Sequence, residues 1–486
     1  MHRLLVAIFL VIAMNGTTAT TAMAQGGAAP PKNFIRENAP VIALTHVEVI
    51  DGTGASPAAD QTVVIDHGKI AAVGAAATVA VPAGAKVIDG TGKTVIPGLV
   101  GMHEHLFYPA PVDGPLTGIE EFYSFAPLYL ASGVTTARTT GTMDPYGDIN
   151  VKAQVDSGKM PGPNLYLTTP YLEGKPSFIP QMHELKDAAE AREFVRYWHS
   201  VGFTSVKAYT NVTPDELRAG IDEAHKLNMK VTGHLCSVGF REAAEMGIDN
   251  LEHGPFAAPD GDLYSKKEPG ACGTNYIAVL VDIVKNVEPD GPAIKELIQT
   301  LVEHRVAVTS TLAVLEGGSR PPMDVDGLVG RTHELMVDVA WSHAMTARAM
   351  SQSFGSLLEI LIKKEMKFER EFVAAGGLLM AGCDPTGDGH VLAGLGDQRG
   401  IELLVEAGFT TPEAIHIATQ NGATFLGEAE RNGSVGTGKQ ADLVLLNGDL
   451  AKDVSVIEKP EIVFKGGVGY DSNAIYESLR GKVGLQ

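Results

Sequence analysis

The 486-residue chain is poor in cysteine, tryptophan and positive charge. It has three cysteines, Cys236, Cys272 and Cys383. An odd, low count in a chain this long excludes a disulfide framework. Cys236 and Cys383 stand beside candidate site residues and are expected to be small packing residues. Lys and Arg number 38 against 58 Asp and Glu, a formal net charge of -20. That field repels phosphate, which excludes nucleic acid and anionic membranes as partners. Beyond the N-terminus no apolar run approaches the ~20 residues needed to cross a bilayer, so no stable membrane anchor is expected. Internal repeats are absent too, which excludes a solenoid. Hydrophobic residues make up 44% and charged residues 20%, values of a globular chain large enough for one big domain and a smaller one.

The first 24 residues have the order of a secretory signal peptide. His2 and Arg3 precede an apolar run from Leu4 to Met14, and small residues follow as far as Ala22-Met23-Ala24. The expected cut lies near Ala24/Gln25, giving a secreted or periplasmic protein. Residues 25–40, rich in Gly, Ala and Pro, read as a leader.

From 41 to 96, short apolar runs are cut by Gly-rich turns: VIALTHVEVIDGTG, TVVIDHGKIAAVG, AKVIDGTGKTVIPG. These are strand and hairpin patterns. Residues 431–486 repeat them in GSVGTGKQADLVLLNGDL and EIVFKGGVGY. Both ends are therefore expected to meet in one small sheet domain. Between them, 97–430 alternates strands with helical segments such as TPDELRAGIDEAHKLN and His333 to Ala375. Eight strand ends stand out: VIPGLVGMHEH, GVTTART, NLYLTTP, FTSVKAY, MKVTGH, IDNLEH, VAVTST and LLMAGCD. The expected fold class is α/β, a (β/α)8 TIM barrel carrying that sheet domain.

Barrel active sites lie at the C-terminal ends of the strands. The first strand ends in His103-Glu104-His105, and a period of two points both imidazoles into the barrel mouth and Glu104 away. The fourth strand ends near Lys207, the fifth at His234, the sixth at His253 and the eighth at Asp384. A lone strand-end histidine is more often a hydrogen-bonded core residue. Six such groups in strand order point to a divalent metal site, with imidazole and carboxylate suited to zinc. An ammonium beside two cations is repelled, so Lys207 fits only if neutral or converted by carbon dioxide to an anionic carbamate, whose two oxygens can bridge two metals. The alternative is a lysine that reaches solvent or pairs with a carboxylate.

VIPGLVGMHEH, SVKAY, VTGHL, LEHG and AGCDPTG resemble the amidohydrolase superfamily, within it the imidazolonepropionase-like and prolidase-like branch with a carboxylated lysine. The resemblance covers almost the whole mature chain and implies that the small domain is a β-sandwich split between both chain ends. It implies one metal on His103, His105 and Asp384, and a second on His234 and His253. The Lys207 carbamate would bridge two divalent ions, expected to be Zn2+. The strand-four lysine sets the chain apart from imidazolonepropionases and mononuclear deaminases.

The expected activity is hydrolysis of a peptide-like C–N bond in a dipeptide or N-acyl amino acid. The alternatives are a lactonase or esterase, and a secreted binding protein without turnover. Asp384 would accept and relay the proton. Tyr209 shares the face of Lys207 and is read as an oxyanion donor or substrate-carboxylate ligand, or else a packing tyrosine. Arg138 is read as a carboxylate-binding residue or a structural salt bridge. His390, in the Gly-rich loop after Asp384, is a further substrate-site candidate. Two long insertions, PFAAPDGDLYSKKEPGACGTNY and the loop with GGSRPPMDVDG, are expected to shape the pocket. The stretch MVDVAWSHAMTARAM reads as a core-facing amphipathic helix. The expected partner is a small molecule or short peptide; homo-oligomerisation is left open.

Overall fold

The computed structural model describes residues 34–111, 116–177, 179–265, 272, 275–317, 328–352, 355–385 and 391–484. The expected signal peptide, most of the leader, the GGSRPPMDVDG loop and His390 lie outside the described residues.

The N-terminal part forms six strands: β1 (Ile35–Glu37), β2 (Val41–Val49), β3 (Ala58–Asp66), β4 (Lys69–Ala75), β5 (Lys86–Asp89) and β6 (Thr94–Pro97). The barrel segment adds β7 (Leu99–Glu104), β8 (Phe107–Pro111), β9 (Leu116–Glu120), β10 (Val134–Thr139), β11 (Asn164–Tyr166), β12 (Thr168–Leu172), β13 (Ser205–Ala208), β14 (Lys230–Gly233), β15 (Asn250–Glu252), β16 (Ala307–Ser310) and β17 (Leu379–Ala381). The chain returns through β18 (Leu443–Leu446), β19 (Pro460–Lys465) and β20 (Val468–Asp471).

The two ends join in one sheet of order β1-β20-β19-β18-β6-β2-β3-β4, with β5 also on β2. The seam is antiparallel, with Leu443 opposite Pro97 and Leu445 opposite Val95. Strand periodicity splits β18 between two cores. Leu443 and Leu445 pack with Ile42, Leu44, Val63 and Phe464 inside the small domain. Val444 and Leu446 face the larger core shared with the barrel. The sheet therefore sits on the barrel through the opposite face of the same strands. Glu37 and Ile35 extend it by pairing with β20, so the last residues of the Gly/Ala/Pro-rich segment belong to the sheet.

Eight parallel barrel strands follow in the expected chain order, the third broken into β11 and β12 at Leu167. β7 and β10 are buried along their whole length, as expected for strands covered on both faces. The barrel closes where Asp384 N–H donates to His103 O at 2.9 Å. Gly382 permits this approach: a Cβ there would lie 2.3 Å from the His103 nitrogen. The eighth strand thus delivers Asp384 directly beside the first-strand histidines.

The helical segments form where their caps and apolar spacing dictate. Pro214–Lys226 starts at a capping box in which Thr213 and Glu216 satisfy each other's backbone N–H groups. The expected run from His333 to Ala375 is three helices, Leu328–Leu335, Asp338–Gln352 and Gly355–Ala374. Its first break falls at Met336, which makes a parallel bridge to Val483 near the chain's end. In the Met-rich stretch, Ala340 and Ala344 are buried and Met345 packs on the core, as an amphipathic helix requires.

One cysteine expectation is overturned. Cys236 is disulfide-bonded to Cys272, with Cα atoms 5.6 Å apart, rather than being a simple packing residue. The pairing depends on the fold of the insertion after β15, which brings residues 36 apart into contact. Cys383 is a free, buried thiol.

Candidate active site

The strand ends gather His103, His105, Lys207, His234, His253 and Asp384 around one cavity of about 120 Å³. Neighbouring imidazoles form a chain. Ring centroids of His103 and His105 are 5.3 Å apart, of His103 and His253 4.6 Å, and of His253 and His234 4.5 Å. Asp384 Oδ1 lies 3.4 Å from His105 Nε2 and 3.7 Å from His103 Nε2. Ligand atoms of these three residues fall within 4.8 Å of one another. His253 and Asp384 both take left-handed backbone (φ 69° and 49°), uncommon for non-glycine residues and costly unless the surroundings enforce it. Both positions lie at strand ends that line the same cavity.

The electrostatics favour metal-ready protonation states. Burial pushes His103 down to about 4 and His253 down to about 3, and His234 well below its ordinary value, so these three imidazoles are neutral and free to donate lone pairs. Burial raises Asp384, but the histidines around it outweigh that and hold its carboxyl well below the usual range. Lys207 is 1% exposed, and burial pushes its amine down to about 8. Only a neutral amine can react with carbon dioxide, and the lowered value makes that form more accessible than in an exposed lysine.

Several of these side chains have one ring nitrogen anchored. His103 Nδ1 meets Glu252 Oε2 at 2.7 Å, and His105 Nδ1 meets the Gly141 carbonyl at 3.1 Å. His253 Nδ1 meets Thr311 Oγ1 at 2.7 Å. His253 Nε2 is buried and has no hydrogen-bond partner among the described residues. A buried, orphaned imidazole nitrogen costs free energy unless something binds it. That orphan, together with a His/Asp/Lys donor set, fits divalent metal ions.

Arg138 does not face the cavity. Its guanidinium donates to the Met102 carbonyl (Nε at 2.9 Å) and to Glu252 Oε1 (2.8 Å), and the residue is 1% exposed. This corrects the reading of Arg138 as a substrate-carboxylate ligand. It is the structural salt bridge that was its alternative, because the side chain turns inward beneath the site. Tyr209 lines the cavity, its ring centroid 5.1 Å from His234 and 4.8 Å from Tyr171. Glu104 points away from the site, as strand alternation requires. It accepts hydrogen bonds from the Cys383 backbone N–H (3.2 Å) and thiol (2.9 Å), and burial together with facing Asp397 raises it well above its ordinary value.

Three features escaped sequence reasoning. Glu252 is wholly buried and binds both His103 and Arg138. An acidic residue inside the apolar strand IDNLEH was its only signal. The antiparallel hairpin β8–β9, inserted directly after the first strand, brings Phe107 over the cavity, where Phe107, Tyr171, Ile179 and Met182 form an apolar cluster packed by Met143 and Tyr209. Tyr276, last residue of the first long insertion, places its hydroxyl 3.0 Å from His234 Nε2. No spacing rule could assign a tyrosine at the start of a distant helix to a strand-end histidine.

Comparison with known proteins agrees with this architecture. Residues 94–469 match the model of the amidohydrolase family. No curated protein sequence matches the chain. Among solved structures, the chain is similar to a candidate prolidase from Bifidobacterium longum (24% identity, 90% of this chain and 98% of that one, TM-score 0.65). It is also similar to an Xaa-Pro dipeptidase with methionine bound in its active site (19%, 89% and 100%, TM-score 0.65) and to molinate hydrolase (17%, 90% and 96%, TM-score 0.63). The match over most of the chain, on a barrel whose strand ends collect this donor set, shows that the protein belongs to the amidohydrolase family, as a hydrolase acting on carbon–nitrogen bonds.

Proposed function

We propose that the protein is a binuclear metal-dependent hydrolase of a peptide-like amide bond, in a dipeptide or an N-acyl amino acid. The observation that carries this reading is the convergence of four histidines, Lys207 and Asp384 on one cavity. His103, His105 and Asp384 would hold one ion, His234 and His253 a second, and a carbamate on Lys207 would join the two. Zinc suits these donors. The prolidase and the Xaa-Pro dipeptidase among the similar structures support a peptide-like substrate.

When bound, the ions supply a water of lowered pKa and polarise the scissile carbonyl. The chain's own residues do the rest. Asp384, held ionised by its histidines, accepts the proton of the attacking water and returns it to the leaving amine, which must depart neutral. Tyr209 borders the cavity and is placed to donate to the oxygen on which charge develops. Phe107, Ile179 and Met182 line the cavity as part of the apolar cluster on which Tyr209 packs, and a low local dielectric strengthens each polar interaction inside.

The reading extends to export from the cytoplasm. Its support is the Cys236–Cys272 disulfide, a bond that persists in oxidising compartments.

Metal analysis of the purified chain, with a panel of dipeptides, N-acyl amino acids and lactones, tests the proposal. Close to two metals per chain and turnover of amides are expected. A reproducible single metal sinks the bridged site, preference for lactones moves the activity to ester chemistry, and no turnover of any member leaves a binding protein.

A further inference from the structure

The four cavity histidines differ in which ring nitrogen is tied back to the protein. His103, His105 and His253 each engage Nδ1, with Glu252, the Gly141 carbonyl and Thr311 respectively, leaving Nε2 for the site. His234 is the inverse. Its Nε2 is engaged by the Tyr276 hydroxyl at 3.0 Å, which leaves Nδ1 as its ligand nitrogen. A metal-binding histidine whose second nitrogen is fixed has its tautomer and ring plane set in advance. Tyr276 therefore stands to His234 as Glu252 stands to His103.

Tyr276 reaches that position by an unusual route. It starts the helix Tyr276–Asn286 at the end of the insertion that follows β15. Four residues before it is Cys272, whose disulfide partner Cys236 lies two residues after His234. Both sulfur-bearing residues are buried, at 0% and 1% exposure. The insertion is thus tied twice to the end of the fifth barrel strand, covalently through Cys236 and by the hydrogen bond on His234. Displacing the tyrosine would mean moving a short segment anchored by a buried cross-link.

We propose that Tyr276 is the positioning residue of His234 and that the Cys236–Cys272 disulfide holds it there, so that the affinity of the His234/His253 metal site depends on this pair. The proposal rests on the binuclear reading above. It assigns the disulfide a role at the site rather than in global stability.

The test is a zinc titration of the full-length chain, stripped of metal, against a competing chromophoric chelator. Wild type is expected to bind two zinc ions. Tyr276→Phe keeps the ring and its packing but removes the hydroxyl. It is expected to weaken one of the two ions by about 10- to 100-fold and leave the other unchanged, with the same melting temperature for the metal-free protein. The paired change Cys236→Ser with Cys272→Ser is expected to weaken the same ion by a similar factor. Adding Tyr276→Phe to it should then cost little more, because both act through one contact. Wild-type affinity for both ions in Tyr276→Phe overturns the proposal, whatever the cysteine variants do. A loss in the cysteine pair that adds in full to that of Tyr276→Phe overturns the role given to the disulfide. A wild-type stoichiometry of one instead overturns the binuclear reading, and this inference with it.

Discussion

His103 Nδ1 lies 2.7 Å from Glu252 Oε2, and both residues are buried. The same carboxylate receives the Arg138 guanidinium at 2.8 Å and the Thr232 hydroxyl. Burial alone would raise Glu252, but His103, Arg138 and Lys207 outweigh it and hold the carboxyl well below its ordinary value. One ionised group thereby orients a candidate ligand histidine and neutralises a buried arginine.

Removing that charge should affect stability and metal binding together. Glu252→Gln leaves Arg138 buried without its counter-charge, a change of about 3–5 kcal/mol for a broken buried pair. It also releases His103, at a cost of about 10- to 100-fold in metal affinity. Urea unfolding of the metal-free protein reads the first effect and chelator competition the second. A variant with wild-type values in both would show that the pair is dispensable.

Lys207→Ala should lose most activity and one or both metals, because the alanine offers nothing to join the two halves of the site. Small carboxylic acids, which supply two oxygens as a carbamate would, should restore part of the turnover. Full activity in the variant without added acid would remove Lys207 from the ligand set.

Asp384→Asn keeps the shape of the side chain but not its capacity to take a proton. A fall in kcat of about 10²- to 10⁴-fold is expected, the usual contribution of a positioned acid–base group. Metal content measured alongside separates proton transfer from ligation. An unimpaired kcat would assign the relay elsewhere.

Away from the site, Asp148 is 1% exposed, and burial pushes its carboxyl up to about 8. The unfolded chain loses this proton near the ordinary value of 3.8, whereas the folded chain keeps it. The proton's contribution to stability is therefore complete below about pH 4 and declines as pH rises toward 8. Asp148→Asn should flatten this decline, and its melting temperature should exceed that of wild type by more at pH 8 than at pH 5. Parallel curves for the two proteins across that range would contradict the assignment.

The barrel and the candidate ligand set were legible in the sequence because both follow local rules. Strands covered on both faces read as short apolar runs, and a period of two decides that His103 and His105 share a face while Glu104 turns away. Strand order then places Lys207, His234, His253 and Asp384 at the same end, since parallel strands all finish on one side. That the two ends of the chain meet in one sheet was legible too, from matching turn-and-strand patterns; the β6–β18 seam itself came only with the fold.

Side-chain partners across long separations were not legible. Arg138 could have faced substrate or protein; its burial against Glu252, 114 residues away, decided for protein. Cys236 looked like packing until the insertion folded back and brought Cys272 to it. Tyr276 became a partner of His234 by the same folding. Period and propensity act over a few residues, so they specify which residues reach the barrel mouth. Which nitrogen each histidine presents there depends on contacts made by loops and neighbouring strands, and those exist only once the chain has closed into its barrel.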